Sequence, residues 1–518
     1  MKRSGATYPL TLQVIRHPLR YNSRPDGRLL SFSVKLLAHT QARADGHRCM
    51  TRRFLNPGAL LPSAADIEHL LRRTEFVARP NRVAELVGRS LEAAVDDIMS
   101  FSGDPGTVSF SSTDNFQRGV ELTYFWLDRM AFDSPRPFQE RLALFWHGHF
   151  CSGIMKVEKA EPMREQLDLF RRDGLTDLGS LALQMATQPA MLRYLDNNQN
   201  KQSSPNQNFA RELKELFTLG VGNYTEADVE AGAAAWTGHS ERWETGIYEW
   251  HPEWHDSSTK SYLGVTINQG GDPRDHGPQT IGVILGNGTV PQGAPLVANR
   301  GRPTRDVVSE FLTKKLWRSF AGTPIPIAVL NDLSSVARAN NFQIRPWIRA
   351  LLLRPEFYST EVRQGLVAPP MHTMVKMLVA TGLRASGNAP IWWMEGMGQR
   401  PLLPPDVSGW GHNVDFVNAS AMARRSEAAR FISWKTTAGY WAGDGLVHLA
   451  GGAIAQSEID YTYTGTADQL VDRFLSTMRV TLSSSSRSAL VDFASTAPWW
   501  QRQELVFLAL LTPEFHTA

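Results

Sequence analysis

Apolar residues recur at three- and four-residue spacing along most of this chain, the pattern of amphipathic helices. Pro62 and Ser63 precede AADIEHLLRR, and Ser63 with Asp66 has capping-box spacing. The same periodicity predicts helices in RVAELVGRSLEAAVDDIMSF (82–101), VELTYFWLDRM and FQERLALFWHGHF. LTDLGSLALQMATQPAMLRYL reads as a helix or helix pair. NFARELKELFTLG ends at Gly220, a fitting C-terminal glycine, and Thr225 with Asp228 opens the next helix by a second capping box. Between about 240 and 300 aromatics alternate with polar residues and glycines, which predicts a loop-rich segment or short β insertion. Helical spacing resumes in RDVVSEFLTKKLWRSF, IRPWIRALLL, MHTMVKMLVATGL, ASAMARRSEAARFISW, TADQLVDRFLS and RQELVFLALL. ALLLRPEFY and LALLTPEFH echo each other, each an apolar helix stopped before a proline. The expected fold is mainly α: a multi-helix globular body spanning 63–518 as one domain, with the 240–300 segment inserted.

Composition narrows the class. In 518 residues, 42% are hydrophobic and 20% charged, as in soluble globular proteins. No apolar run approaches the roughly 18 residues of a membrane span. The 15 Trp and 24 Phe are explained by bulky helix packing. The net charge of +3 hides an asymmetry: residues 1–53 hold eleven Lys or Arg against two Asp, leaving the remainder at −6. That mildly acidic body argues against a nucleic-acid partner. Residues 1–62 read as a basic, disordered arm or as sequence upstream of the true start, with Met50 the alternative start. The segment lacks the apolar core of a secretory signal, which favours a cytoplasmic location. Two cysteines, Cys49 and Cys151, make no disulfide framework and no thiolate metal site.

Polarity is concentrated between 194 and 236. An Asn-rich loop (Asp196, Asn197, Asn198, Asn200, Asn206, Asn208) runs into a helix carrying Arg211, Glu212 and Glu215. Such loops hold their shape through side-chain bonds to their own backbone. Glu212 and Glu215, three apart, are neighbours on one helix face and repel unless a cation lies between them. Lys214, Arg211 or a metal would supply it. Asp196-x-Asn198-x-Asn200 resembles the opening of a calcium loop, but Lys201 stands at the glycine position and Gln207 at the terminal acid. His147-Gly148-His149 is a second cluster. On an ideal helix its imidazoles lie about 200° apart, whereas an extended segment would align them. His251-Pro252-Glu253-Trp254-His255-Asp256 is a third. It fails the zinc-protease HExxH pattern because the Glu is displaced and Pro252 interrupts the helix turn. No Walker loop, Rossmann glycine fingerprint or GxSxG elbow is present.

These segments, in this order, are similar to the large bacterial family called "domain of unknown function 1800", over about 66–518. IEHLLRRTEF, ERLALFWHGHF, YLDN, PNQNFARELKELFTLGVGNYTEADV, HDSSTKSYLG, KKLWRSF, PPDVSGW and the final TPEF carry the resemblance. Its family-type positions are His147, His149, Asp196, Asn206, Asn208, Arg211, Glu212, Glu215, Asp228, His255, Asp256, Lys260 and Trp410. The resemblance implies a mainly helical fold, frequent export and a sulfatase-like partner protein encoded nearby. It brings no activity. Gln207, His239 and Ala368-Pro369-Pro370 depart from the family's usual Glu, Trp and K-S-P.

The expected function is a metal-dependent enzyme, oxidative slightly before hydrolytic. Its metal ligands would be His147, His149, Glu212, Glu215, His255 and Asp256. Mixed imidazole and carboxylate donors suit iron, zinc or manganese. Arg211 would orient an anionic substrate, with Lys260 or His239 as charge or proton partner. The alternative is a non-catalytic binding or assembly protein whose polar motifs lock helices together.

Overall fold

The Ser63 hydroxyl accepts a hydrogen bond from the Asp66 amide and the Asp66 carboxylate accepts one from the Ser63 amide, so the first capping box forms and opens the helix Ala64–Glu75. The computed structural model describes residues 61–101, 106, 108–386, 388–438, 446–448, 465–478, 481–498 and 504–518. Residues 1–60, with Cys49 and Met50, lie outside the described residues.

The architecture is mainly α-helical, as the periodicity predicts. One expected helix is two. Over 82–101 the chain breaks at Gly88, whose φ of 89° is left-handed, and Ser90 caps a new start at Leu91–Ile98. The 178–194 region is a helix pair, Leu178–Thr187 and Pro189–Tyr194. Both proline-stopped echoes end alike, with short turns at Pro355–Tyr358 and Pro513–His516. Ala160–Asp173, Ile327–Ala339, Ala389–Gly396 and Ser484–Thr496 are helices that the sequence reading did not single out.

The helix Pro137–His149 runs through the core, and every residue but Gly148 is buried. A helix that is buried all round needs partners for its polar groups. Glu140 finds them in Arg129 (2.7 Å) and Arg171 (2.8 Å), and Arg171 also meets Asp168 (3.1 Å). This buried network ties the helix to Ala160–Asp173 and to the π-helical turn Arg129–Asp133.

The 240–300 segment contains the expected β structure as two antiparallel hairpins. His239–Arg242 pairs with Ile247–Trp250, and Lys260–Tyr262 with Val265–Ile267. It also contains a ten-residue helix, His276–Leu285, that the glycine-rich pattern obscured. A third pair joins Leu383–Ala385 to Leu446–His448. Among the described residues, no helix is long and apolar enough to cross a membrane.

Candidate functional site

The Asn-rich loop is spent on the fold. Asn200 is fully buried; its amide donates to the Ala233 carbonyl (2.8 Å) and to Asn197 Oδ1 (3.1 Å), and its oxygen accepts from the Asn206 amide (2.8 Å). Asn206 then accepts from the Asn208 amide (2.9 Å), where the helix Asn208–Glu212 begins. The loop therefore sets where that helix starts.

The helix widens into a π-helical turn, Leu213–Thr218, in which the Thr218 hydroxyl donates to the Leu213 carbonyl (2.5 Å). π-turns are rare and frequent at functional sites. The widening sends Lys214 inward, fully buried, to donate to the Ala210 carbonyl (2.7 Å) and face the Tyr262 ring. Lys214 is therefore not the cation between the two glutamates, as the linear spacing allowed. Arg211 is also engaged, bidentate to Glu226 (2.8 and 2.7 Å) and bonded to Gln207 (3.1 Å).

Glu215 accepts from the Tyr224 hydroxyl (2.5 Å). Glu212 is half-buried and has no hydrogen-bond partner among the described residues. Burial first, then the like charge of Glu215, pushes its carboxyl up to about 7, against the opposing pull of Arg211. Asp406, in the PPDVSGW loop, adds a further repulsion.

That loop also closes over the histidine helix. A Cβ on Gly409, whose φ is 88°, would sit 2.6 Å from the Gly148 carbonyl and 3.2 Å from Cys151 Sγ, so this approach requires glycine. His147 and His149 point apart, as 100° per residue dictates. His147 lies against Trp126 and Trp410, with both ring nitrogens unpartnered, and burial lowers it to about 3. His149 Nε2 meets the Phe217 carbonyl (3.1 Å), so that nitrogen carries the proton. Its Nδ1 then accepts from the Lys315 ammonium (3.3 Å), which also donates to the Leu216 carbonyl (2.6 Å). Burial brings Lys315 down to about 8.

His255 occupies a separate setting beneath the hairpins. Its Nδ1 donates to the Thr237 carbonyl (2.8 Å), leaving Nε2 to accept from His276 Nδ1 (2.8 Å). His276 Nε2 is thus left as a buried lone pair without a partner. Asp256 pairs with Lys260 (3.2 Å), whose ammonium also donates to the Asp256 and Ser258 carbonyls. His239 bonds the Tyr248 hydroxyl (3.1 Å) and meets the Trp236 ring at a tilt and the Trp250 ring edge-on.

The nine residues singled out by the sequence thus fall into three settings. Glu212, Glu215 and Arg211 share one. His147 and His149 sit on the buried helix, with His149 linked through Lys315 to the backbone beside Glu215. His239, His255, Asp256 and Lys260 form the third, which shares no hydrogen bond or ion pair with the other two among the described residues. His149, His255, Asp256 and Glu215 already have partners. No three His, Cys, Asp or Glu side chains among the described residues are grouped to hold a metal ion. The sequence reading did not place Lys315, Tyr224, Asp406 or His276 in a site. KKLWRSF and PPDVSGW stood out as motifs, but nothing local connects them to Glu212.

Residues 69–517 match the model of the family described as Protein of unknown function (DUF1800). No curated protein and no solved structure matches the chain.

Proposed function

The chain belongs to the DUF1800 family, and from that premise we propose that it is a hydrolytic enzyme with Glu212 as general acid–base. The observation that carries the proposal is the state of this one carboxyl. It is half-buried, without a hydrogen-bond partner among the described residues, and beside a second carboxylate; burial and that charge hold it at about 7. A general acid–base works best with a pKa near the operating pH. Pairs of carboxyls driven apart by their surroundings mark acid–base assignments in many enzymes. Here Glu215 is tied to Tyr224 while Glu212 is unengaged. Glu212 takes the proton from an attacking water and returns it to the leaving group. Glu215, held by Tyr224, is a positioning residue whose charge adds to burial in raising the proton affinity of Glu212.

Metal-assisted oxidation is the weaker expectation for these residues. Glu212 and Glu215 supply two donors, one of them already bonded, and the histidines face elsewhere. The second reading is a non-catalytic binding or assembly protein. The closed hydrogen bonding of Asn197, Asn200 and Asn206 favours it, because that loop behaves as a structural lock.

The test is turnover of a panel of chromogenic carboxylic esters, glycosides and amides by wild type and Glu212→Gln, with folding checked by circular dichroism. Hydrolysis of one class, reduced at least about 100-fold in the variant, supports the enzyme. Turnover that Glu212→Gln leaves unchanged overturns the Glu212 assignment, and turnover in no class favours the binding protein.

A further inference from the structure

A cleft is lined in part by the His149–Lys315 contact. Arg141, Lys315, Arg318, His149, His372 and His412 line it, and among the described residues no Asp or Glu stands in its wall. Its cavity volume is about 90 Å³, several times the roughly 10–15 Å³ that a single water requires. Three permanent or near-permanent cations facing one cleft without an acid among the described residues is a costly arrangement, since like charges repel and burial disfavours Arg141 and Lys315.

None of the three cations is neutralised by a carboxylate bond. Arg141 donates to the Ser319 carbonyl (2.7 Å) and hydroxyl (2.9 Å), with its remaining face on the Phe320 ring. Lys315 uses two of its three donors, on Leu216 and His149. Arg318 is exposed at the mouth and has no hydrogen bond or ion pair among the described residues. The acid it feels is Asp415, whose carboxylate accepts the His412 amide (2.7 Å). Burial lowers Arg141 to about 10 and Lys315 to about 8, as expected for cations that lack a counter-ion.

We propose that this cleft is a binding site for a phosphate group, held by Arg141, Lys315 and Arg318. A dianion matches three cations better than a single carboxylate does, and guanidinium forks fit phosphate oxygens two at a time. The site is separate from the Glu212 assignment and does not require it.

Calorimetric titration of the full chain with inorganic phosphate and with phenyl phosphate, at constant ionic strength and against sodium chloride, tests this. Wild type binds at least one of the two saturably, and chloride does not compete. Tighter binding of phenyl phosphate identifies a phosphate ester as the ligand, and equal or tighter binding of inorganic phosphate identifies the free ion. Arg318→Gln, which removes no hydrogen bond of the fold, weakens binding about tenfold or more. Lys314→Gln, a neighbouring exposed lysine outside the cleft, leaves it unchanged. Glu212→Gln also leaves it unchanged, so failure here does not touch the acid–base assignment. Absence of saturable binding, equal competition by chloride, or equal weakening by Lys314→Gln overturns the proposal.

Discussion

Replacing Glu215 by Gln removes one charge beside Glu212 while keeping an oxygen for the Tyr224 hydroxyl. The Glu212 carboxyl stands at about 7 against an ordinary value of 4.5, with burial the larger cause and Glu215 the next. Side chains three apart on a helix lie roughly 6 Å from each other. Two unit charges at that distance interact by about 2.8 kcal/mol at an effective dielectric of 20 and about 0.7 kcal/mol in water. Glu212 is only half-buried, so solvent screening discounts the first figure, and about 1.4 kcal/mol, or one pKa unit, is the working value. Glu215→Gln is therefore expected to lower the Glu212 carboxyl by about one unit and no further, because burial remains. Carbon-detected NMR of protein labelled at glutamate carboxyls reads this, with the resonance assigned by its loss in Glu212→Gln. A Glu212 that titrates in the ordinary carboxylate range in wild type refutes the reasoning, as does one that Glu215→Gln leaves unmoved.

Other substitutions probe neighbouring parts of the account. Because Glu212 is raised in the folded state, its protonation stabilises the fold below the unfolded pKa, and that contribution is lost as pH rises through about 7. Glu212→Gln should then gain stability relative to wild type between pH 4 and pH 8 in urea denaturation; a relative loss has the wrong sign. Asn200→Ala strands the buried Ala233 carbonyl and removes the partner of the half-buried Asn206 amide, and is expected to cost about 1–3 kcal/mol, seen as a lower urea midpoint. A cost near zero would mean that the loop does not lock the helix. Gly232→Ala places a methyl 2.9 Å from Lys214 Nζ and 3.2 Å from the Tyr262 ring. Overpacking of about 1–3 kcal/mol should exceed the roughly 1 kcal/mol gain in helix propensity, so thermal scans should show a lower Tm; a higher one would show that Lys214 yields freely.

What the sequence disclosed was local. The capping boxes at Ser63/Asp66 and Thr225/Asp228 need only four residues, and both form. The divergence of His147 and His149 follows from helix geometry once that segment is known to be helical. The Glu212/Glu215 pairing was visible for the same reason. The π-helical turn was not, because no residue type announces the extra residue in the turn, and it is that turn which carries Lys214 away from the glutamates. Gly88 broke a helix whose apolar spacing continued past it. Lys315 and Asp406 reach the site from about 100 and 190 residues further along the chain. Only packing of the Thr304–Phe320 helix and the PPDVSGW loop brings them there. His276 was hidden for a related reason, because it opens a helix inside a segment read as loop and β.

The most direct test of the acid–base assignment is the pH dependence of kcat/KM on whichever substrate class the chain hydrolyses, for wild type and Glu215→Gln in parallel. The account predicts a limb near 7 in wild type that moves to lower pH by about one unit in the variant. A profile with no limb in that region, or a limb that stays in place when Glu215 loses its charge, contradicts it.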